Sequence, residues 1–221
     1  MSNMIELTAA DGFTFDAYHA EAVGTRKGGL ILIMEIFGVT DHIKELCDGF
    51  AANGYEVIAP AMYDRQGKGF ATGYGDDEIQ EAIKRAGTNT MENACMDVEA
   101  ARDFLKERGP VYITGYCYGG SVTWVAACRV AGLAAAASYY GRLVIDHVDE
   151  TPKCPTILHF GETDPTIPLD AVRRIEAAHP DIPSYVYEGA DHGFQSDRPQ
   201  HFNEAAATLA RERTLTHFSA H

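Results

Sequence analysis

Cationic residues are scarce in this 221-residue chain: 18 Lys and Arg stand against 32 Asp and Glu, a formal charge of −14. Phosphate backbones are held by clustered Lys and Arg that release counterions, so this balance argues against a nucleic-acid partner. Long apolar runs are absent as well, since nothing reaches the ~18 consecutive residues of a membrane span. The start, MSNMIELTAADGF, mixes acidic and polar residues where a secretory signal needs a basic end and an apolar stretch. The expectation is a soluble, cytoplasmic protein that binds no membrane. Cysteine is sparse and unpatterned: Cys47, Cys95, Cys117, Cys128 and Cys154 are odd in number, scattered and without C-x-x-C spacing. That argues against a disulfide framework or a zinc site, and most of these thiols are expected reduced and packed. Repeats and low-complexity segments are lacking too.

What is present is a chain with 46% apolar and 23% charged residues, long enough for one substantial core. A single domain over 1–221 is expected. Strand-like and helix-like patterns alternate along it. FTFDAYHA has period two, GGLILIMEIFG is a continuous apolar run, and HIKELCDGFAANG has helical spacing with Gly54 placed as a C-terminal stop. The strand YEVIAP follows. Residues 61–90, rich in Gly and charge, read as a surface loop or lid with a short helix near 78–85. Ala94, Val98, Ala101 and Leu105 share one helical face, and Gly109-Pro110 ends that helix. Then come the strand VYITGY, a helix from Tyr118, the strands LAAAASYYG and PTILHFG, a helix over 169–179, the strand SYVYEG and a last helix over 200–218. Buried, non-alternating strands interleaved with helices imply an α/β fold, a mostly parallel sheet covered on both faces. Ligands in such sheets bind at the carboxyl ends of strands.

Three residues just past strand ends carry chemistry. Cys117 lies in GYCYGG between a strand and a helix, the G-x-nucleophile-x-G pattern of a nucleophile elbow, where positions such as Gly115 and Gly119 have little room for a Cβ. Such a turn lifts the side chain to a helix N-terminus, whose dipole favours a thiolate; a packed structural thiol is the other reading. Asp164, in HFGETDPTIP, is a candidate acid, with Glu162 and Asp170 as competitors and an Asp-Pro turn as the simpler reading. His192, in YEGADHGF, is a candidate base, with the neighbouring Asp191 as an alternative partner for its ring or the histidine as a surface residue. Taken together, nucleophile, acid and base stand in the chain order of α/β-hydrolases, each after a different strand. In that arrangement His192 takes and returns a proton, Asp164 fixes its tautomer, and the Tyr118 backbone N–H enters an oxyanion hole. Glu35 stands out as a carboxylate ending the run LILIM at the edge of a core, where ionisation is costly without a partner or water. It is either functional or a side chain reaching solvent as the strand ends. Phe37, Tyr116, Tyr118 and Tyr139 are candidate pocket walls or core residues.

Through MEIFG, GYCYGG, SYYG, GETDPTIP and GADHGF the chain resembles the dienelactone hydrolase family over nearly its whole length. The resemblance implies an α/β-hydrolase that opens lactones or cleaves small esters with Cys117, His192 and Asp164, using no metal or cofactor; a monomer or weak homodimer is expected. It also implies that Glu35 contacts the resting thiol and that the Ile36 N–H joins the oxyanion hole. A departure accompanies it. The family grips an anionic substrate with two arginines, and their places here hold Ile79 and Ser196. Arg85 and Arg198 lie nearby, as a shifted clamp or as solvated surface residues. Two other activities fit the same residues: a thioesterase or acyltransferase using the triad, and a non-catalytic protein sensing oxidants through Cys117.

Overall fold

The computed structural model describes residues 2–221. It is an α/β fold with an eight-stranded, mostly parallel sheet. In chain order its strands are β1 (Ser2–Thr8), β2 (Thr14–Ala20), β3 (Gly28–Ile33), β4 (Tyr55–Pro60), β5 (Val111–Tyr116), β6 (Ala135–Tyr139), β7 (Thr156–Gly161) and β8 (Ser184–Tyr187). Its helices are α1 (Asp41–Ala52), α2 (Asp76–Thr88), α3 (Met91–Leu105), α4 (Tyr118–Arg129), α5 (Leu169–Ala178) and α6 (Glu204–Ser219). The strand order is β1-β2-β4-β3-β5-β6-β7-β8. Two compact units divide after Ile113, within β5. Among the described residues no helix is long and apolar enough to cross a membrane.

In the first unit, β3 and β4 pair in parallel and are buried along their whole length, as unbroken apolar strands must be when helices cover both faces. β2 joins β4 antiparallel, and β1 closes the edge antiparallel to β2. β1 was not expected from its sequence. It exposes most of its residues, and its place is set by the register with β2 rather than by its own pattern. Thr40 and Thr90 cap α1 and α3 by accepting the N–H groups of Ile43 and Asn93. Gly54 has φ +93° and its N–H returns to Ala51, so the expected stop is in place. Residues 61–90 hold more regular structure than a loop with a short helix: a 3-10 turn spans Asp64–Gln66, and α2 starts two residues before the expected 78–85 and ends three residues after it. The Glu78 carboxylate explains the earlier start, accepting the N–H groups of Gly73 and Gly75 at 3.2 and 2.8 Å. At the far end Asn89 donates to the Met62 carbonyl at 2.9 Å.

In the second unit β6, β7 and β8 are parallel neighbours. α4 is buried on every side from Tyr118 to Cys128, the signature of a central helix. Two of its buried polar groups are compensated: Ser138 donates to the Gly120 carbonyl at 2.8 Å, and Trp124 Nε1 to the His147 carbonyl at 3.1 Å. His147 ends a 3-10 turn over Arg142–His147 that no sequence signal announced. α6 starts at Glu204 instead of residue 200 because the Asn203 side chain accepts the Ala206 N–H and fixes the boundary.

Candidate active site

The elbow forms because β5 passes into α4 through a single residue with left-handed φ. Cys117 has φ 57° and ψ −113°, a conformation costly for any residue with a Cβ and found where surrounding contacts impose it. Those contacts are close. A Cβ on Gly115 would lie 2.3 Å from the Gly119 carbonyl oxygen, and one on Gly120 would lie 2.1 Å from that of Tyr139. Neither position accepts another residue without displacing backbone. The Cys117 N–H donates to the Tyr139 carbonyl at 3.1 Å. The thiol is partly exposed and stands at the N-terminal end of α4, where negative charge faces the positive end of the helix dipole.

The loops after β7 and β8 bring the acid and base to that thiol. They are pinned together: Thr163 donates both its N–H and its hydroxyl to the Ala190 carbonyl at 2.9 Å, and a Cβ on Gly161 would lie 2.5 Å from the same oxygen. His192 Nε2 lies 3.1 Å from Cys117 Sγ, and Nδ1 lies 2.7 Å from Asp164 Oδ2. Asp164 is 3% exposed. Its Oδ1 accepts the Thr166 N–H at 2.7 Å, the Thr166 hydroxyl at 2.7 Å and the Ile167 N–H at 3.2 Å. The Thr166 oxygen also lies 3.0 Å from His192 Nδ1, so the ring proton has a second acceptor. Thr166 was not singled out in the sequence; a hydroxyl two residues after a candidate acid was the available signal.

Burial acts against both charges here and loses. It would raise the Asp164 carboxyl, yet the hydrogen bond and positive charge of His192, with Thr166, hold it below its ordinary value. Burial would lower His192, but the negative charges that Cys117 and Asp164 can carry on either side raise it well above 6.5.

The competing acids lie elsewhere. Asp191 turns from the imidazole, accepting the His192 backbone N–H at 2.6 Å and contacting His201 Nδ1 at 2.9 Å. Glu162 accepts the Gly189 N–H, and Asp170 pairs with Arg173. Of the candidate pocket-wall or core residues, Tyr116 and Tyr139 are interior, their rings 4.7 Å apart, with Tyr139 Oη 2.7 Å from Thr214 Oγ1. The neighbouring Tyr140, also fully buried, is the ring that meets His192, edge-on at 5.1 Å. Tyr140 has φ +36°. Tyr118 is buried at the first position of α4. Ser196 is buried, and its hydroxyl accepts the Arg198 N–H at 3.3 Å; Arg198 itself is half-buried.

In the first unit, Glu35 is 5% exposed just beyond the end of β3, followed by a half-buried Ile36 and by Phe37, whose ring meets Tyr74 edge-on at 4.7 Å. A carboxylate that reaches solvent is therefore not what the fold makes of Glu35. Ile79 is half-buried on α2. Arg85 is engaged by Glu81 at 2.9 Å and lies over the Phe70 ring at 4.3 Å. Among the described residues no three of His, Cys, Asp and Glu are grouped as a metal ion requires. A cavity of about 770 Å³ opens at the amino ends of β7 and β8, lined by Cys154, Thr156, His179 and His217 among others. It contains none of the three triad candidates.

Known proteins share this architecture. Residues 15–221 match the dienelactone hydrolase family. A protein of Azospirillum brasilense assigned as a carboxymethylenebutenolidase is 31% identical over 230 residues, covering 98% of each chain. A crystal structure of a Klebsiella pneumoniae protein assigned as a dienelactone hydrolase is 29% identical, covers 99% of this chain and 100% of its own, and superimposes with a TM-score of 0.86. An esterase of Pyrococcus furiosus, at 12% identity, 100% and 91% coverage and a TM-score of 0.73, shares the fold. With the family matched from β2 to the last residue, the chain belongs to the dienelactone hydrolase family and is a carboxylic ester hydrolase of the α/β-hydrolase type.

Proposed function

We propose that the protein opens lactones or cleaves small carboxylic esters through a Cys117–His192–Asp164 triad and an acyl-enzyme. The observation that carries this reading is the single imidazole spanning Cys117 Sγ at 3.1 Å and Asp164 Oδ2 at 2.7 Å. Sγ attacks the acyl carbon, and the thiol proton resides on His192 Nε2. The carbonyl oxygen becomes an oxyanion that receives the Tyr118 N–H. Collapse of the tetrahedral intermediate breaks the acyl carbon–oxygen bond, and the leaving oxygen takes the proton from Nε2. In a lactone that oxygen stays tethered to the acyl group. Water then gives its proton to Nε2, attacks the thioester, and releases the acid and the thiol. Asp164 stays ionised throughout and stabilises the imidazolium through Nδ1–H, with Thr166 fixing both. The family resemblance adds the Ile36 N–H as the second oxyanion donor and Glu35 as the group restraining the resting thiol.

The test is a panel of lactones, aryl esters and acyl thioesters assayed with wild type and Cys117→Ala, with mass spectrometry of the quenched enzyme. The expected result is turnover of lactones or esters, an adduct of acyl mass on Cys117, and loss of both in the variant. Near-wild-type turnover by Cys117→Ala would overturn the triad. Preference for thioesters, with transfer to an added amine or alcohol, would make it a thioesterase or acyltransferase.

A further inference from the structure

The proposed reaction leaves one fully buried histidine of the second unit unused. His159, on β7, has Nδ1 2.8 Å from Tyr187 Oη on β8 and Nε2 3.1 Å from Thr214 Oγ1 on α6. Thr214 Oγ1 in turn lies 2.7 Å from Tyr139 Oη on β6. Thr214 and Tyr139 are fully buried and Tyr187 nearly so. Side chains of four elements therefore form one chain of hydrogen bonds. Burial drives His159 down to about 3 and holds the Tyr139 hydroxyl well above its ordinary value. The ring is thus neutral at working pH, with one nitrogen donating and the other accepting, and every link of the chain is between neutral groups.

This chain ends at the residue on which the elbow rests. The Tyr139 carbonyl accepts the Cys117 N–H at 3.1 Å, and Gly120 packs against the same oxygen with no room for a Cβ. The next residue, Tyr140, donates its N–H to the His159 carbonyl at 2.8 Å, holds φ +36°, and sets its ring edge-on to His192 at 5.1 Å. Nucleophile and base are both seated on the Tyr139–Tyr140 dipeptide. His159 grips that dipeptide twice, through its own carbonyl and through Thr214. The Tyr139 and His159 rings, 4.4 Å apart, complete the contact. A histidine chosen only to fill the core would need no such run of partners, and an apolar side chain would fill the space without a desolvation cost.

We propose that His159 and Thr214 are positioning residues whose neutral hydrogen-bonded chain holds Tyr139–Tyr140 in the arrangement that sets the Cys117–His192 contact. The proposal rests on the triad reading, so its test includes a measurement that needs no substrate. Thr214→Val removes the hydroxyl at nearly constant volume, Thr214→Ser restores it, and Tyr139→Phe breaks the same link from the other side. Each variant is measured for kcat and KM on an aryl ester, for the rate at which iodoacetamide alkylates Cys117 in the folded protein, and for Tm. Thr214→Val and Tyr139→Phe are each expected to lower kcat and the alkylation rate about tenfold with KM little changed, as small misplacements of reacting groups do. Thr214→Ser should stay close to wild type, and the Val/Phe double variant should be no worse than Thr214→Val, because that change already removes the hydroxyl that both His159 and Tyr139 meet. Folded variants that alkylate at the wild-type rate, or a loss confined to Tm or KM, would overturn the proposal; a Thr214→Val that does not fold leaves the decision to Tyr139→Phe. Absence of ester turnover in wild type would count against the triad instead, and the alkylation comparison would still decide this one.

Discussion

Each unit of the molecule buries a carboxylate against a histidine, and the two pairs have opposite characters. In the first unit Glu56 on β4 is 2% exposed and lies 2.9 Å from His19 Nε2, 2.8 Å from Arg26 Nε, and against Arg108 Nη2. In the second, Asp164 meets His192 at 2.7 Å and otherwise accepts only from Thr166 and Ile167. Glu56 is held by two guanidinium groups as well as by His19, whose ring packs T-shaped with Phe104 at 5.5 Å. That pair is saturated and can only hold β2, β4 and the end of α3 together. The charge of Asp164 is answered by one ring, and the far nitrogen of that ring faces a thiol. A histidine–carboxylate distance therefore says little by itself; what the second nitrogen meets decides whether the pair can move a proton.

The comparison breaks most severely at the nucleophile. Cys117→Ala is expected to abolish acyl-enzyme formation, and His192→Ala or Asp164→Asn to lower turnover by roughly two to four orders of magnitude, since a triad acts as a unit. Steady-state kinetics with mass spectrometry of the quenched enzyme checks this, and full activity in Asp164→Asn would show that His192 needs no orienting acid. None of these changes should lower Tm as much as a change at Glu56.

Glu56→Gln probes the saturated pair and should do the reverse. Removing the anion from a buried cluster costs on the order of 3 kcal/mol, which for a domain of this size is a Tm loss of roughly 6–12 °C, while kcat of the folded enzyme stays unchanged. Burial alone would raise the Glu56 carboxyl, but the Arg26, His19 and Arg108 contacts hold it below its ordinary 4.5. A depressed carboxylate contributes its full stability above the unfolded value and loses it as pH falls through the folded one. The Tm gap between wild type and Glu56→Gln should therefore be constant above about pH 4.5 and close on further acidification. A gap that widens in acid would reverse the sign of the cluster.

These pairs were unequally legible in the sequence. Cys117, Asp164 and His192 each follow a strand whose unbroken apolar letters mark its end, and glycine spacing marks the elbow, so local signals converged on them. Glu56 sits inside YEVIAP with nothing to separate it from an outward-facing strand residue, and its partners come from positions 19, 26 and 108. His159 is hidden in the same way within TILHF, since Thr214 is 55 residues further on. The strand β1 escaped because an exposed edge strand has little apolar alternation to read. Tyr139 and Tyr140 are adjacent letters of SYYG, both fully buried, and nothing in those letters tells that one side chain meets His159 and Thr214 and the other His192. Interleaved strands and helices, by contrast, dictate the fold class through composition and period alone, and that part of the architecture was readable throughout.

Glu35 is another buried carboxylate and a sharper probe, because the family resemblance gives it a role at the thiol. Glu35→Gln keeps the shape and removes the proton acceptor. Turnover is expected to fall about tenfold, the scale of one charge-assisted hydrogen bond, with Tm near wild type and a displaced pH profile of Cys117 alkylation. An unchanged profile together with unchanged turnover would place Glu35 with Glu56, as a carboxylate that serves the fold.

The smallest expected effect concerns the charge of the substrate. Ile79 and Ser196 stand where the family resemblance places two arginines, and the structure gives neither position a cation: Ser196 is buried with its hydroxyl on the Arg198 N–H, and Arg85 is held by Glu81 and Phe70. The unit that holds the proposed triad adds Asp191, next to His192, as a further acid. Without a paired guanidinium, an anionic lactone forgoes a contact worth on the order of 1.5–3 kcal/mol, or roughly tenfold to a hundredfold in affinity. A carboxylate-bearing lactone should therefore be turned over with kcat/KM about tenfold below that of its methyl ester, and the difference should lie in KM. The matched pair also separates the half-buried Arg198 from a purely surface role. A preference for the free acid that disappears in Arg198→Ala would make that arginine a clamp displaced by two residues, and would return this chain to the anionic substrates that the family resemblance implies.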